Sequence, residues 1–163
     1  MKKKCKNFAG FSMVEVVVVL VLLSLASTMF LFALSTGKDI RTTSEIRTIQ
    51  GTLLNNLQNQ IRAREFEDPT TGSTNFGKEL DQGENSINQF DDIDDFHQYS
   101  ITSIPGFESF GYLVDVKYVP LEENGFNLNP NPENQTTYKS ITVTVTHKTL
   151  SSMTDIMVIG SEF

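Results

Sequence analysis

FSMVEVVVVLVLLSLASTMFLFAL, residues 11 to 34, is the stretch of sequence that decides the fold. It carries one charge, Glu15, and from Val16 to Leu34 it has no charged residue, no Gly and no Pro. At about 1.5 Å per residue, a helix over that charge-free part is roughly 28 Å long, close to the ~30 Å hydrocarbon core of a bilayer. Lipid offers no partners to backbone groups, so a lone apolar segment must be a helix. The sequence therefore predicts a membrane-spanning helix over residues 11–35.

The ten residues ahead of this helix, MKKKCKNFAG, carry four lysines and no acid. An ordinary secretory signal has its small-residue cleavage site after the apolar stretch, whereas here Ala9 and Gly10 precede it. A cut after Gly10 would remove the lysines as a leader, residues 1–10, and leave the apolar helix on the mature chain. The lysines also follow the positive-inside rule, which predicts a cytoplasmic leader and a C-terminal domain on the other side of the membrane.

Gly10, Phe11 and Glu15, followed by the unbroken apolar run, resemble the N-terminal motif of type IV prepilins. The resemblance implies cleavage between Gly10 and Phe11 by a prepilin peptidase that also methylates the new N-terminus at Phe11. It implies that Glu15 is the assembly residue, and that the partners are other pilin subunits and an inner-membrane assembly platform. It also implies a single-pass inner-membrane protein with a periplasmic C-terminal domain that then enters a pilus or pseudopilus. The alternative is a plain N-terminal membrane anchor.

Glu15 also has a physical interpretation of its own. A carboxylate near the membrane core is costly and usually has a specific partner. The amine released at Phe11 is the natural partner, contributed by the neighbouring subunit of a staggered bundle. Such a pair would set the register of an otherwise uniform apolar interface, and a head-to-tail contact that does not close generates a helical filament.

The composition restricts the remaining partners. The chain of 163 residues has a formal net charge of −7, and removal of the leader takes away only cations, so the mature chain is more acidic still. An acidic domain argues against nucleic-acid binding, which needs a basic patch. The one cysteine, Cys5, lies in the leader, so no disulfide is expected in the mature protein, unlike in many major pilins. His97 and His147 have no cysteine to complete a zinc site, and we expect them to be isolated surface or strand residues.

Beyond Leu34 the apolar residues continue at helical spacing. They are Ile46, Ile49, Leu53, Leu54, Leu57 and Ile61. Spacings of three and four are typical of an amphipathic helix, and they predict a continuation over residues 36–66 within one helix from about Ser12 to Arg64. Its second half is expected to pack on the exported domain, residues 67–163.

Three segments with period-two alternation and many β-branched residues predict antiparallel strands. They are Phe110–Tyr118, Ile141–Val145 and Met153–Ile159. The last two predict a hairpin within 137–163 that closes around Thr149–Ser152, whereas residues 120–135 are expected to be a solvent loop. The predicted fold is α+β: a long N-terminal helix, membrane-spanning in its first half, packed on a small antiparallel β-sheet.

An acidic stretch in the long 65–105 connection is the one candidate metal site. Its four carboxylates are Asp91, Asp92, Asp94 and Asp95. Because calcium prefers oxygen ligands, these side chains are candidate calcium ligands, with Glu67 or Asp68 added from the preceding loop. The EF-hand pattern is absent, and the alternative is a solvated acidic turn anchored by Phe90, Ile93 and Phe96. No other cofactor is expected, and no catalytic motif occurs, so we expect a protein that is not an enzyme.

The segments 53–68 and 90–96 resemble the minor pilin D group of the mannose-sensitive haemagglutinin (MSHA) pilus. This resemblance implies a minor type IV pilin, a structural subunit that is processed by prepilin peptidase and takes part in pilus biogenesis at the inner membrane. Two alternatives remain open at this point. One is a minor pseudopilin of a type II secretion system, and the other is a membrane-anchored binding domain that does not polymerise.

Overall fold

The computed structural model describes residues 12–67, 76–77, 86–128 and 135–161. The predicted leader and the predicted cleavage site, Gly10 and Phe11, lie outside the described residues. The chain divides into two compact units, Met1–Glu45 and Ile46–Phe163. The segment boundaries predicted near residues 35 and 66 stay predictions.

The long predicted helix is confirmed as α1, Met13–Arg62. In the first unit its large apolar side chains are exposed, for example 48% at Val16 and 76% at Phe32. By length and composition α1 can cross a membrane, since its most apolar eighteen-residue window has a mean hydropathy of 2.7 and none of that window is buried. The described part of the chain has one helix of this kind.

The predicted antiparallel sheet is also confirmed. It contains β1 (Ser100–Ile101), β2 (Phe110–Tyr118), β5 (Tyr138–His147) and β6 (Met153–Gly160). These strands lie in the order β1-β2-β5-β6, and each pair of neighbours is antiparallel. The predicted hairpin is the β5–β6 pair, whose connection spans residues 148–152. Strand β2 has the predicted bounds because its alternation of apolar and polar residues extends over its whole length.

The core of the second unit lies between the end of α1 and one face of the sheet. Leu57 and Ile61 of the helix stripe are 1% and 0% exposed, and Val114 of β2 and Val143 of β5 are fully buried in the same cluster. Burying one such side chain contributes about 1.5–3 kcal/mol. The amphipathic stripe and the strand alternation therefore fix which face of each element points inward.

The short elements of the second unit, β1 among them, were not predicted. Strands β3 (Leu121–Glu122) and β4 (Gly125–Phe126) form a small exposed hairpin within the predicted solvent loop. Gly125 has a φ of 118°, a conformation that favours glycine, so it closes this turn. Two-residue strands are too short to produce a period-two signal, which is why the sequence pattern did not reveal them.

The acidic stretch is buried in the core. The alternative interpretation of a solvated turn was therefore wrong about its exposure to solvent. Phe90, Ile93 and Phe96 anchor it as expected, at 0–1% exposure. However, three of its aspartates are also buried, two of them in a short 3₁₀ helix, Asp94–Phe96. The carboxylates therefore need partners inside the protein.

Candidate functional site

Glu15 lies in the first turn of α1 and is exposed among apolar side chains. Val16, Val19 and Leu20 line the same shallow groove as Glu15. A carboxylate in the first turn interacts favourably with the unpaired N–H groups of the helix N-terminus. Because residues 16–34 contain no other charge, Glu15 is the one position where this surface can recognise an opposite charge.

Three hydroxyl groups in or next to the apolar half of α1 are bonded within the helix. Ser24 Oγ donates to Val21 O at 2.8 Å, and Thr28 Oγ1 donates to Leu25 O at 2.8 Å. Thr36 Oγ1 likewise donates to Phe32 O at 3.1 Å. These side chains therefore carry no unmet hydrogen-bond donor into an apolar environment, as a lipid or a helix bundle requires.

The acidic stretch joins the end of α1 to the rest of the second unit. The backbone N–H of Glu65 donates to Asp91 O at 3.2 Å, and the N–H of Ile93 donates to Glu65 O at 3.1 Å. Glu65 and Asp92 thereby form a parallel bridge. The stretch is held at the helix terminus by backbone bonds, so its position does not depend on side-chain chemistry alone.

Two of the four candidate metal ligands bond backbone groups of their own turn. Asp92 Oδ1 accepts from the N–H of Asp95 at 3.0 Å. Asp95 Oδ2 accepts from the N–H groups of Asp91 and Asp92, at 3.0 and 3.4 Å. Asp91 itself is exposed. These carboxylates stabilise the turn by taking up N–H groups that burial would otherwise leave unpaired.

Asp94 points instead to a buried lysine that the sequence analysis did not single out. Lys139 Nζ lies 2.9 Å from Asp94 Oδ2, and the two side chains are 0% and 2% exposed. Lys139 Nζ also donates to the carbonyl oxygen of Phe66. It lies 4.2 Å from the centroid of the Phe66 ring and 5.1 Å from that of Tyr118. The result is a buried ion pair with aromatic walls.

The sequence pattern indicated that Lys139 would point into the core. It lies two residues before Ile141, and the alternation Lys139, Ile141, Val143 places the lysine on the inward face of β5. A buried lysine requires a partner of opposite charge. The pattern shows that requirement, but it does not show which of the many acids meets it.

Burial changes the acidity of this cluster. It raises the pKa of Asp92 to about 6, against the lowering effect of the hydrogen bond from the Asp95 backbone. Burial also raises the pKa of Asp94, and the hydrogen bond from Lys139 opposes that rise. The pKa of Tyr118 is raised mainly by burial, with a contribution from the charge of Asp94.

The described residues contain no group of three or more His, Cys, Asp or Glu side chains placed to hold a metal ion. Glu67 is exposed, and Asp68 lies outside the described residues. Calcium binding by Asp91, Asp92, Asp94 and Asp95 therefore stays a prediction. In the structure Asp92 and Asp95 bond backbone N–H groups, and Asp94 bonds Lys139.

Both histidines bond to backbone groups. His97 Nδ1 lies 2.8 Å from Val116 O, 3.7 Å from Asp115 Oδ1, and its ring packs on Phe76 at 4.9 Å. His147 Nδ1 accepts from the backbone N–H of Leu150 at 3.2 Å in the β5–β6 turn. These contacts position a loop and a turn.

The N-terminal part of the chain matches a known family model. Residues 5–31 match a family model described as "Prokaryotic N-terminal methylation motif". This range contains Gly10, Phe11 and Glu15 and most of the apolar run. No curated protein and no solved structure gives a significant match to the chain. The motif match, together with the long apolar helix that follows it, supports a type IV pilin-like or pseudopilin-like subunit that is processed by prepilin peptidase.

Proposed function

We propose that this protein is a minor type IV pilin of the MSHA type, a structural subunit without enzymatic activity that takes part in pilus biogenesis at the inner membrane. Prepilin peptidase cuts it after Gly10 and methylates Phe11. The observation that carries the proposal is that the matched methylation motif, residues 5–31, includes most of an apolar run that is long enough to cross a membrane.

The exposed apolar half of α1 needs two successive environments. An apolar surface of this extent is unfavourable in water, so it marks contact with lipid or with other protein. Before assembly the lipid bilayer covers it, with the N-terminus in the cytoplasm and the C-terminal domain in the periplasm. After assembly the equivalent helices of neighbouring pilin subunits cover it. The partners in this scheme are the peptidase-methyltransferase, the other subunits and the inner-membrane assembly platform.

The MSHA type is supported by the likeness of the segments 53–68 and 90–96 to minor pilin D. In this protein the second of these segments is held to the end of α1 by backbone bonds and is largely buried. The likeness therefore involves residues that maintain the fold of the exported domain. This favours a relationship in architecture over a chance similarity of exposed acidic loops.

N-terminal processing is tested by mass spectrometry of the protein recovered from membranes and from sheared fibres. We expect an N-terminus at Phe11 that carries one methyl group. Gly10→Val should block cleavage because a large residue at the last leader position is excluded, whereas Gly10→Ala should be cut in part. Mature material that retains Lys2 to Lys6 would contradict the proposal and favour the plain anchor.

A strain that lacks this protein distinguishes a pilus subunit from a subunit of a secretion system. A minor pilin predicts loss of surface fibres with normal release of secreted enzymes, and recovery of this chain in sheared fibres. A minor pseudopilin of a type II secretion system predicts normal surface fibres, loss of secreted enzymes from the medium, and no recovery of this chain in sheared fibres. A membrane-anchored binding domain that does not polymerise predicts that neither fibres nor secretion change.

A further inference from the structure

The pair of Lys139 and Asp94 is unlike the other ion pairs of the described residues. Its two side chains are 0% and 2% exposed, with 2.9 Å between Lys139 Nζ and Asp94 Oδ2. The pair formed by Lys117 and Asp115 is shorter, at 2.6 Å, but its side chains are 54% and 37% exposed. The two pairs have the same chemical groups at similar distances, and they differ in whether water reaches them.

Because the pair is buried away from water, its ionised form has an unfavourable solvation free energy. Two charges taken into a low-dielectric interior lose more solvation than their mutual attraction commonly restores. Transfer of one proton within the pair gives an amine beside a carboxylic acid, which are the two forms that condensation to an amide requires. The rings of Phe66 and Tyr118 lie next to Nζ, at 4.2 and 5.1 Å from their centroids, and form part of the wall that keeps water from the pair.

The neutral pair is placed to react. A hydrogen-bond distance between Nζ and one carboxyl oxygen brings Nζ close to the carboxyl carbon, and effective molarities of about 10⁵ M or more arise when reacting groups are held at about 3–3.5 Å. The carbonyl of Phe66 accepts a hydrogen from Nζ and so holds the amine in place. Asp94 Oδ1 is buried and has no hydrogen-bond partner among the described residues.

We propose that Lys139 and Asp94 condense to an intramolecular amide bond. Lys139 Nζ attacks Asp94 Cγ, the new C–N bond forms, and one carboxyl oxygen leaves as water with a hydrogen from the carboxyl group and one from the amine. The neutral amine and acid thus give an amide and one water molecule, with no oxidant, reductant or further reactant. Oδ1, which is not held by Lys139, is the oxygen that departs.

Asp92 is the neighbouring group suited to move the proton during this step. It is a second buried carboxyl group, 2% exposed, and it lies two residues before Asp94 in the same turn. It is fixed by the hydrogen bond that its Oδ1 accepts from the Asp95 backbone. Removal of its proton-carrying capacity should slow condensation and leave the reacting pair in place.

The bond would serve a chain that has no means of forming a disulfide within itself, since Cys5 is its one cysteine. It would tie the acidic stretch to β5 and close the loop between residues 94 and 139, which contains β1, β2, β3 and β4. A covalent closure of this kind restricts the unfolded chain, as a disulfide does, but an amide resists reduction. The inference does not depend on polymerisation, so it can fail or succeed independently of the proposed function.

The test uses the full chain purified from membranes in detergent, denatured and digested with trypsin. Trypsin does not cut after an acylated lysine, so we expect one branched species that joins residues 79–117 to residues 118–148. Its mass should equal the sum of the two linear peptides less one water molecule, and fragment ions should locate the link at Asp94 and Lys139. Complete cleavage after Lys139, with linear peptides 79–117 and 118–139, would overturn the proposal.

Variants supply the controls. Lys139→Arg keeps the positive charge but should abolish the branched species and should migrate more slowly than the wild type in a denaturing gel. Lys117→Arg removes the exposed lysine and should leave the link between Asp94 and Lys139 unchanged. Asp92→Asn should slow formation of the link at least about tenfold after synthesis is stopped, in line with the effect of a proton carrier. An unchanged rate would exclude that role for Asp92. The wild-type digest decides the main proposal even if a variant fails to fold.

Discussion

At the scale of single residues, Gly111 lies where neighbouring strands leave no room for a side chain. It lies in β2 between β1 and β5, where a Cβ atom would be 2.5 Å from Ile101 O and 2.8 Å from Thr146 Oγ1. One of these contacts is to backbone, so it is not relieved by rotation of a side chain. Gly51, in contrast, lies within α1 and has nothing within 4 Å of such an atom.

Gly111→Ala should lower the free energy of unfolding by about 1–3 kcal/mol, because overpacking forces β1 and β5 apart. Gly51→Ala is the matched control, and it should raise the free energy of unfolding by roughly 0.5–1 kcal/mol through better helix propensity. Urea denaturation followed by circular dichroism measures both changes. Equal stability of the Gly111 variant and the wild type would contradict the close approach of β1 to β2.

Asp92 should give the stability of the exported unit a pH dependence. Burial raises its pKa from the ordinary value of 3.8 to about 6 in the folded protein, so the folded state binds the proton more tightly than the unfolded chain does. Its contribution to folding is most favourable below pH about 4 and declines as the pH rises to about 6. The neighbouring groups that act on its pKa are Asp94, Asp95 and Lys139.

Asp92→Asn removes this titration while keeping an oxygen that can accept from the Asp95 backbone. We expect the melting temperature of the variant, relative to the wild type, to rise between pH 4 and pH 6 and then to level off. The measurement is a thermal melt of both proteins at matched ionic strength across that range. A constant difference between the two curves would show that Asp92 titrates at its ordinary pKa in the fold.

At the scale of elements, periodic patterns determined what could be predicted. Strand β2 and the β5–β6 hairpin were predictable because alternation over many residues is a strong signal. The stripe from Ile46 to Ile61 was predictable for the same reason. The hairpin β3–β4 and the 3₁₀ helix are too short to carry a period, and the burial of the acidic stretch depends on a partner, Lys139, that is distant in the sequence.

The acidic stretch offers a direct test of calcium binding. Asp92 and Asp95 bond backbone N–H groups and Asp94 bonds Lys139, so these carboxylates already have partners within the fold, and the described residues hold no group of three placed to bind a metal ion. We therefore expect the melting temperature to be the same in calcium and in chelator at matched ionic strength. A rise of several degrees that saturates with calcium would contradict this expectation, since a ligand that binds only the native state stabilises it.

At the scale of the whole molecule, the two units have different chemistry. Residues 16–34 of the first unit are apolar and unburied, whereas the second unit has its own buried core and no cysteine. The sequence predicted this division because a long apolar run is recognisable without any knowledge of contacts. What the sequence did not predict is the internal charge arrangement of the second unit, since Coulomb partners depend on three-dimensional proximity.

Glu15 is the residue of the first unit that we expect to act in filament assembly. Val and Leu side chains make similar contacts in many registers, so a helix bundle built from residues 16–34 has little to fix its stagger. One pair between Glu15 and the Phe11 amine of a neighbouring subunit would fix it, and removal of one member would leave the other unpaired in an apolar place. Glu15→Val should therefore be exported and cleaved normally, yet its ratio of fibre to membrane protein should fall at least about tenfold, which corresponds to ~1.4 kcal/mol.

Glu45→Val is the matched control, because Glu45 is also an acid on α1 but lies outside the apolar run and pairs with Arg41 within its own helix at 2.9 Å. Exposed pairs at this spacing contribute about 0.3–0.5 kcal/mol, so its loss should leave incorporation near the wild-type level. Each variant is expressed in a strain that lacks the native copy and is quantified in sheared fibres and in membranes. If Glu15→Val enters fibres as well as Glu45→Val does, then pairing through Glu15 does not admit this subunit. That outcome would place it at the tip, where no earlier subunit offers an amine.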